Sequence, residues 1–410
     1  MTLRVNGERL RRDMADLATI GALDTGGISR TAFSTADAAA RQWYADRCAA
    51  SGLTLTMDGL GNMVARAPHD SDLPPVWTGS HIDTVPQGGA FDGALGTVAA
   101  LECVRRIAEE GVPTHRPVCA VVFSDEEGNY GHLLGSRGLS HGYTADQLAV
   151  LTGRDGDRLV DALASWTWAD GAPTATRLVA GSVHRFVELH IEQGPTLEAS
   201  GTDIGVVTSI VGLGGAEVDF IGRADHAGTT PMPMRSDALL AAARFLAELP
   251  AVAASAGPES VVTCGLIRVE PGGANIVPGL ASITLDFRDP DAIRLAALER
   301  DIALAADRAA AATGVSMVWR PDAPIEPMPL ADPVRDLIRR SAAELGLTHV
   351  DMPSGAGHDS QNLAHLAPTG MIFVPSKDGR SHSPAEYTDF ADVERGANVL
   401  LSTVLSLAAD

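Results

Sequence analysis

Four cysteines in 410 residues, Cys48, Cys103, Cys119 and Cys264, are too scattered for a disulfide framework. None belongs to a CxxC pair, so they read as reduced structural thiols of a cytosolic protein. Basic residues are also scarce, 31 Lys+Arg against 52 Asp+Glu, for a formal charge of -21. That balance argues against a nucleic-acid groove and favours solubility. No apolar run approaches the ~20 residues of a transmembrane helix. The basic and acidic stretch from Arg4 to Asp13 lacks the apolar core of a signal peptide. The expectation is a soluble cytoplasmic protein with neither nucleic acid nor membrane as a partner.

What is present is an ordinary enzyme composition, 45% hydrophobic and 20% charged. The length exceeds what one core usually supports, so two domains are expected. Helical periodicity covers 8–20 and 34–51, the second opened by Ser34 and Thr35 as candidate caps, and a hairpin joins 53–57 to 62–66 across Asp58-Gly59-Leu60-Gly61. Strand 75–80, helix 94–110 and the continuous apolar strand 117–123 then set an α/β pattern with a largely parallel sheet. Residues 144–181 read as helical pieces and polar loops, and 184–193 as a third strand. Gly212-Leu213-Gly214-Gly215 reads as a hinge. Beyond it, strand 216–222, helix 235–249, strands 260–269 and 281–288, helix 291–312 and strand 315–319 follow a ferredoxin-like βαββαβ order. The Pro-rich segment 321–329 leads back to helix 332–345, strand 370–374 and helix 390–408, so the small unit is an insertion. The expected boundaries are 1–213, 214–328 and 329–410.

The chain is organised around residues 80–93, with His81 at the end of one strand and Asp92 at the entrance of the next helix. An imidazole and a carboxylate brought together on rigid elements make a plausible half of a metal site. Glu126 and Glu127 follow the second strand, and His190 with Gln193 ends the third, all on the edge where ligands collect in α/β sheets. A lone histidine is more often a surface or core residue, and two adjacent acids more often a solvated turn. The coincidence of these positions at strand ends of one sheet weakens both readings. A hydrolytic site needs hard oxygen ligands, imidazoles and one further carboxylate to take a proton from water. Ser381-His382-Ser383-Pro384 supplies a late candidate ligand, and His226 lies on a loop of the inserted unit, suited to approaching a substrate.

The segments SHIDTVPQGGAFDG, SDEEG, ELHIEQG, GRADHAGTTPM, GGANIVPG, LDFRDPD, SGAGHDS and SHSPAE resemble those of the hydantoinase/carbamoylase amidohydrolases. These form a branch of the binuclear zinc aminopeptidase-like superfamily. The resemblance implies an α/β fold: a zinc-aminopeptidase-like catalytic domain with a mixed, mostly parallel sheet, plus an inserted ferredoxin-like α+β lid and dimerisation domain. It also implies two divalent metal ions, zinc before manganese, cobalt or nickel. His81 and His190 would hold one, Glu127 and His382 the other, and Asp92 would bridge them. Glu126 would be the general base, and His226 would polarise the scissile carbonyl, reaching across a homodimer. Gln193, Asn275, Arg288 and Gly357 would hold the substrate, with Arg288 pairing with a carboxylate.

The implied activity is cleavage of a linear amide or ureido C–N bond, first of all hydrolysis of an N-carbamoyl-L-amino acid. Allantoate amidohydrolase and β-ureidopropionase are the near rivals. A metallo-aminopeptidase or dipeptidase, and a non-catalytic binding protein, are the distant ones. Gly128-Asn129-Tyr130-Gly131-His132 departs from the Gly-Ser-Arg-Phe usual in the family, altering the neighbourhood of the pocket.

Overall fold

The computed structural model describes residues 3–165 and 177–410. Part of the 144–181 reading therefore lies outside the described residues. The chain divides into two compact units. The first comprises Met1–Thr208, Leu330–Met352 and Gly357–Asp410; the second comprises Ser209–Pro329 and Pro353–Ala356.

The first unit is built on a mixed sheet. From one edge its strands run Thr54–Met57, Met63–Arg66, Val118–Phe123, Val76–His81, Arg185–Ile191, Thr369–Val374 and Ile204–Ile210. The four in the middle are mutually parallel, and the flanking pairs are antiparallel. The run 118–123 explains why a central strand carries no polar residue. Val118, Ala120 and Val122 enter one core, and Cys119, Val121 and Phe123 enter the core on the opposite face. Helices Ala94–Glu109, Asp332–Glu344 and Phe390–Ala408 bury their apolar faces in the first of these cores. Helix Thr35–Ala50 starts where Ser34 accepts a hydrogen bond from the Asp37 amide.

The second unit has a four-stranded antiparallel sheet in the order Ser316–Pro321, Gly212–Ile221, Leu280–Asp289, Val261–Glu270. Helices Ala238–Ala256 and Ala292–Thr313 cover the face that carries Ala216, Val218, Phe220, Ile283 and Phe287.

Several elements differ from the sequence reading. Gly212–Gly215 is the start of a ten-residue strand, in register with Asp289 back to Asp286, and is not a hinge. The glycines there make room: a Cβ on Gly214 would lie 2.0 Å from the Phe287 ring. Helix Ala238–Ala256 continues past Pro250, where the sequence reading ends it. This helix is also long and apolar enough to cross a membrane, contrary to the expectation that no such run exists. Its residues Ala241, Ala242, Phe245 and Leu249 are buried in the second unit's core. Strand His349–Ser354 and the short helix Asp359–Leu363 are additional to the reading.

Candidate metal centre

The parallel strands end on a common edge, and each delivers one chemical group there. His81 is the last residue of Val76–His81, and His190 the penultimate residue of Arg185–Ile191. Glu126 and Glu127 follow Val118–Phe123, after Asp125 at φ 51°. Three amides close this turn by donating to the Asp125 carboxylate, those of Asn129 (2.6 Å), Tyr130 (2.9 Å) and Gly131 (2.9 Å). Asp92 precedes helix Ala94–Glu109, separated from it by Gly93 at φ 62°. Only glycine fits there, because a Cβ would stand 2.4 Å from the His81 ring.

The two oxygens of Asp92 face different partners. Oδ1 lies 3.1 Å from His190 Nε2 and 3.4 Å from His81 Nε2, while Oδ2 lies 3.3 Å from His382 Nε2. The same His382 nitrogen is 3.4 Å from Glu127 Oε2. The five expected ligands thus form two groups that share one carboxylate, His81 with His190 and Glu127 with His382.

Ring orientation identifies the ligating nitrogens. His81 Nδ1 lies 3.0 Å from the Asp83 carbonyl, and His190 Nδ1 lies 2.9 Å from the Ile191 carbonyl. A carbonyl only accepts, so both Nδ1 atoms donate, and in the neutral form that binds a cation the rings present bare Nε2 atoms on the Asp92 side. The Gly93 amide, which donates toward His190 Nε2 at 3.3 Å, agrees with that tautomer. Glu127 Oε1 is buried without a hydrogen-bond partner. Clustered acids, bare imidazole nitrogens and an orphaned carboxylate oxygen fit divalent cations on both sides of Asp92.

Proton affinities in this pocket are strongly displaced. Burial raises the Glu126 carboxyl well above its usual range, with Glu127, Asp359 and Asp92 adding to the effect and His81 opposing it. Burial and Asp92 bring Glu127 to about 7. Burial opposes ionisation of Asp92, but the imidazoles of His190, His382 and His81 around it hold its carboxyl well below the ordinary value. Hydrogen bonding to Asp92 raises His382 to about 9. Glu126 Oε2 stands 3.6 Å from His81 Nε2, beside the cluster.

Gln193, at φ 59°, donates from Nε2 to Asp92 Oδ2 at 2.6 Å. Gly357 faces His132, whose Nε2 would lie 3.0 Å from a Cβ there, and His132 Nδ1 donates to the Glu126 carbonyl at 2.8 Å. The departing turn is braced by the Tyr130–Asp157 hydrogen bond and by Arg154, which donates to the Glu127 carbonyl at 3.3 Å.

His226, Asn275 and Arg288 belong to the second unit. His226 pairs with Ile276 in a two-residue ladder, and the Asn275 carbonyl accepts from the Ala227 amide at 2.9 Å, so these two expected residues are neighbours. Arg288 already has a carboxylate partner on its own strand. Strand periodicity puts Asp286 on the same face, and Arg288 donates to it at 2.9 and 3.2 Å and to the Gly355 carbonyl at 2.8 Å.

Four supporting residues escaped the sequence reading as functional parts. Asp83 accepts from the amides of Glu126 (3.4 Å) and Glu127 (3.1 Å), fixing the turn that carries both acids. Arg30 is fully buried and donates to the Ile82 carbonyl at 2.6 Å, behind His81. Glu188 accepts from Ser80 Oγ (2.7 Å) and Ser360 Oγ (2.6 Å), and so ties two elements under the site. His358 packs edge-on against the His190 ring with centroids 4.5 Å apart. The Asp83 motif position and the SGAGHDS segment were visible; the buried contacts that give them work were not.

Residues 77–406 match Peptidase family M20/M25/M40. An N-carbamoyl-L-amino-acid amidohydrolase of Paenarthrobacter aurescens is 38% identical over 99% of this chain and 100% of its own length. An allantoate amidohydrolase of Escherichia coli K12 is 34% identical over 96% of each chain. A solved amidase of the hydantoinase/carbamoylase family from Burkholderia multivorans superposes with a TM-score of 0.93 at 36% identity, covering 100% of this chain and 99% of that one. Fold, site and relatives define a metal-dependent amidohydrolase. The chain belongs to Peptidase family M20/M25/M40, within its hydantoinase/carbamoylase branch.

Proposed function

We propose that this amidohydrolase cleaves the ureido bond of N-carbamoyl-L-amino acids, releasing the amino acid, carbon dioxide and ammonia. The carrying observation is Asp92, whose two oxygens face two ligand groups, beside a further buried carboxylate on Glu126. The choice of substrate is supported by the Paenarthrobacter relative, a full-length match that carries that activity in its name. The Escherichia coli relative makes allantoate the second reading.

Two divalent cations, zinc in the first instance, would be held by His81, His190, Asp92, Glu127 and His382, and would supply electrophilic charge that acidifies water and polarises a carbonyl. Glu126 takes the proton from the attacking water and returns it to the leaving nitrogen. His226 steadies the negative charge that develops on the carbonyl oxygen. Gln193, Asn275 and Gly357 bind the substrate's polar groups. For Arg288 to receive the substrate carboxylate, the carboxylate must share the guanidinium with Asp286. In this reading the unit around Ser209–Pro329 is a lid and pairing surface for a homodimer, and the free cysteines suit a cytoplasmic setting.

A turnover panel tests the reading: N-carbamoyl-L-amino acids, allantoate, 3-ureidopropionate and dipeptides, each with Zn²⁺ or Mn²⁺. The N-carbamoyl compounds are expected to have the highest kcat/KM. A higher value for allantoate overturns the substrate choice. Light scattering should find a dimer; a fully active monomer removes the trans role of His226.

A further inference from the structure

Among the described residues the Glu386 carboxylate belongs to no ligand group, yet it is 6% exposed and its hydrogen bonds go to Asp92, to the preceding Phe91 and to Ser381, which itself reaches Asp92. Its Oε1 accepts from the amides of Phe91 (2.9 Å) and Asp92 (3.0 Å). Its Oε2 lies 2.8 Å from Ser381 Oγ, which is also 3.0 Å from Asp92 Oδ2. Gly89 leaves the room for this, since a Cβ there would stand 2.1 Å from Glu386 Oε1. Ser381 therefore lies between two carboxylates, and its hydroxyl has one hydrogen to give.

The choice matters because Asp92 Oδ2 is the oxygen on the His382 and Glu127 side. When the Ser381 hydroxyl donates to Oδ2, it competes with a cation for that oxygen. When it donates to Glu386, Oδ2 faces one competing donor fewer, with Gln193 Nε2 still 2.6 Å away. We propose that Glu386 is a positioning residue for metal binding, which draws the Ser381 hydrogen away from Asp92 and keeps Oδ2 available as a bridging ligand. The inference rests on the metal-site reading above and deepens it.

The isosteric E386Q separates this role from simple support of the 89–92 loop. The two amides need an acceptor, so the glutamine keeps its oxygen on Phe91 and Asp92 and turns its NH₂ to Ser381. That NH₂ donates to the serine oxygen and directs the hydroxyl hydrogen onto Asp92 Oδ2. Zn²⁺ affinity, measured by competition with a chromophoric chelator, should fall about tenfold at the weaker site, within the range for loss of an outer-shell partner. In E386Q/S381A the competing hydrogen is gone, and affinity should return to within about threefold of the S381A parent.

G89A, which displaces the Glu386 carboxylate, should reproduce the loss, and S381A should again relieve it. Thermal unfolding of the chelator-treated proteins checks that each variant is folded. Unchanged affinity in both E386Q and G89A overturns the proposal, and so does a loss that persists in the double variants, which is the mark of loop support alone. A chain that binds both cations but cleaves nothing in the substrate panel refutes the substrate reading and leaves this proposal standing. A wild-type chain that binds no divalent cation refutes the site and the proposal together.

Discussion

A carboxylate such as Glu126 is costly to keep buried, and burial with neighbouring acids raises its proton affinity far above the ordinary range. A cation beside it reverses that pressure and leaves the carboxylate as an acceptor for a proton from water. Glu126→Gln preserves shape and removes the acceptor. Steady-state kinetics should show kcat lower by about 10²–10⁴ with KM changed little, while metal content measured by atomic absorption stays at the wild-type level. Wild-type turnover with metal bound would exclude Glu126 as the base.

Burial, His365 and nearby arginines lower the proton affinity of His141, and burial with Arg185 and Arg116 lowers that of His184. Each imidazole is thus favoured neutral in the fold. The unfolded chain binds more protons below the ordinary 6.5, so their contribution weakens as pH falls through that value. Urea midpoints measured from pH 7.5 to 5 should decline less steeply in H141Q/H184Q than in the wild type. Parallel slopes would show that these groups do not contribute.

At the scale of elements, legibility followed burial. The central strands could be read because both faces are covered and the apolar run is uninterrupted. Their ends then placed His81, the Glu126-Glu127 pair and His190 on one edge. His349–Ser354 was missed because its exposed first half and mixed polar and apolar residues carry no such run, and Asp359–Leu363 because five residues are too few for a periodic signal. The partners of Asp92 were equally hidden, since Ser381 and Glu386 meet it across 289 and 294 residues of chain. The glycines at 212–215 were misread because flexibility and close packing use the same residue. Gly214→Ala distinguishes the two uses. A Cβ 2.0 Å from Phe287 is overpacked, and urea unfolding should report a loss of about 1–3 kcal/mol. A neutral substitution would restore the hinge reading.

At the scale of the molecule, the two units have separate apolar cores. One surrounds the parallel sheet that ends in the metal ligands, and the other fills the space under the antiparallel sheet of Ser209–Pro329. All five expected ligands belong to the first unit. Cation binding should therefore stabilise that unit alone, by about 2.7 kcal/mol for each site held at 100-fold over its dissociation constant. Differential scanning calorimetry with and without EDTA makes the distinction. Two transitions are expected, of which only one moves down on chelation, while the other keeps its midpoint because no ligand lies in its core. If a single transition moved as a whole, the two cores would melt together, and the energy of cation binding would be shared by the entire chain.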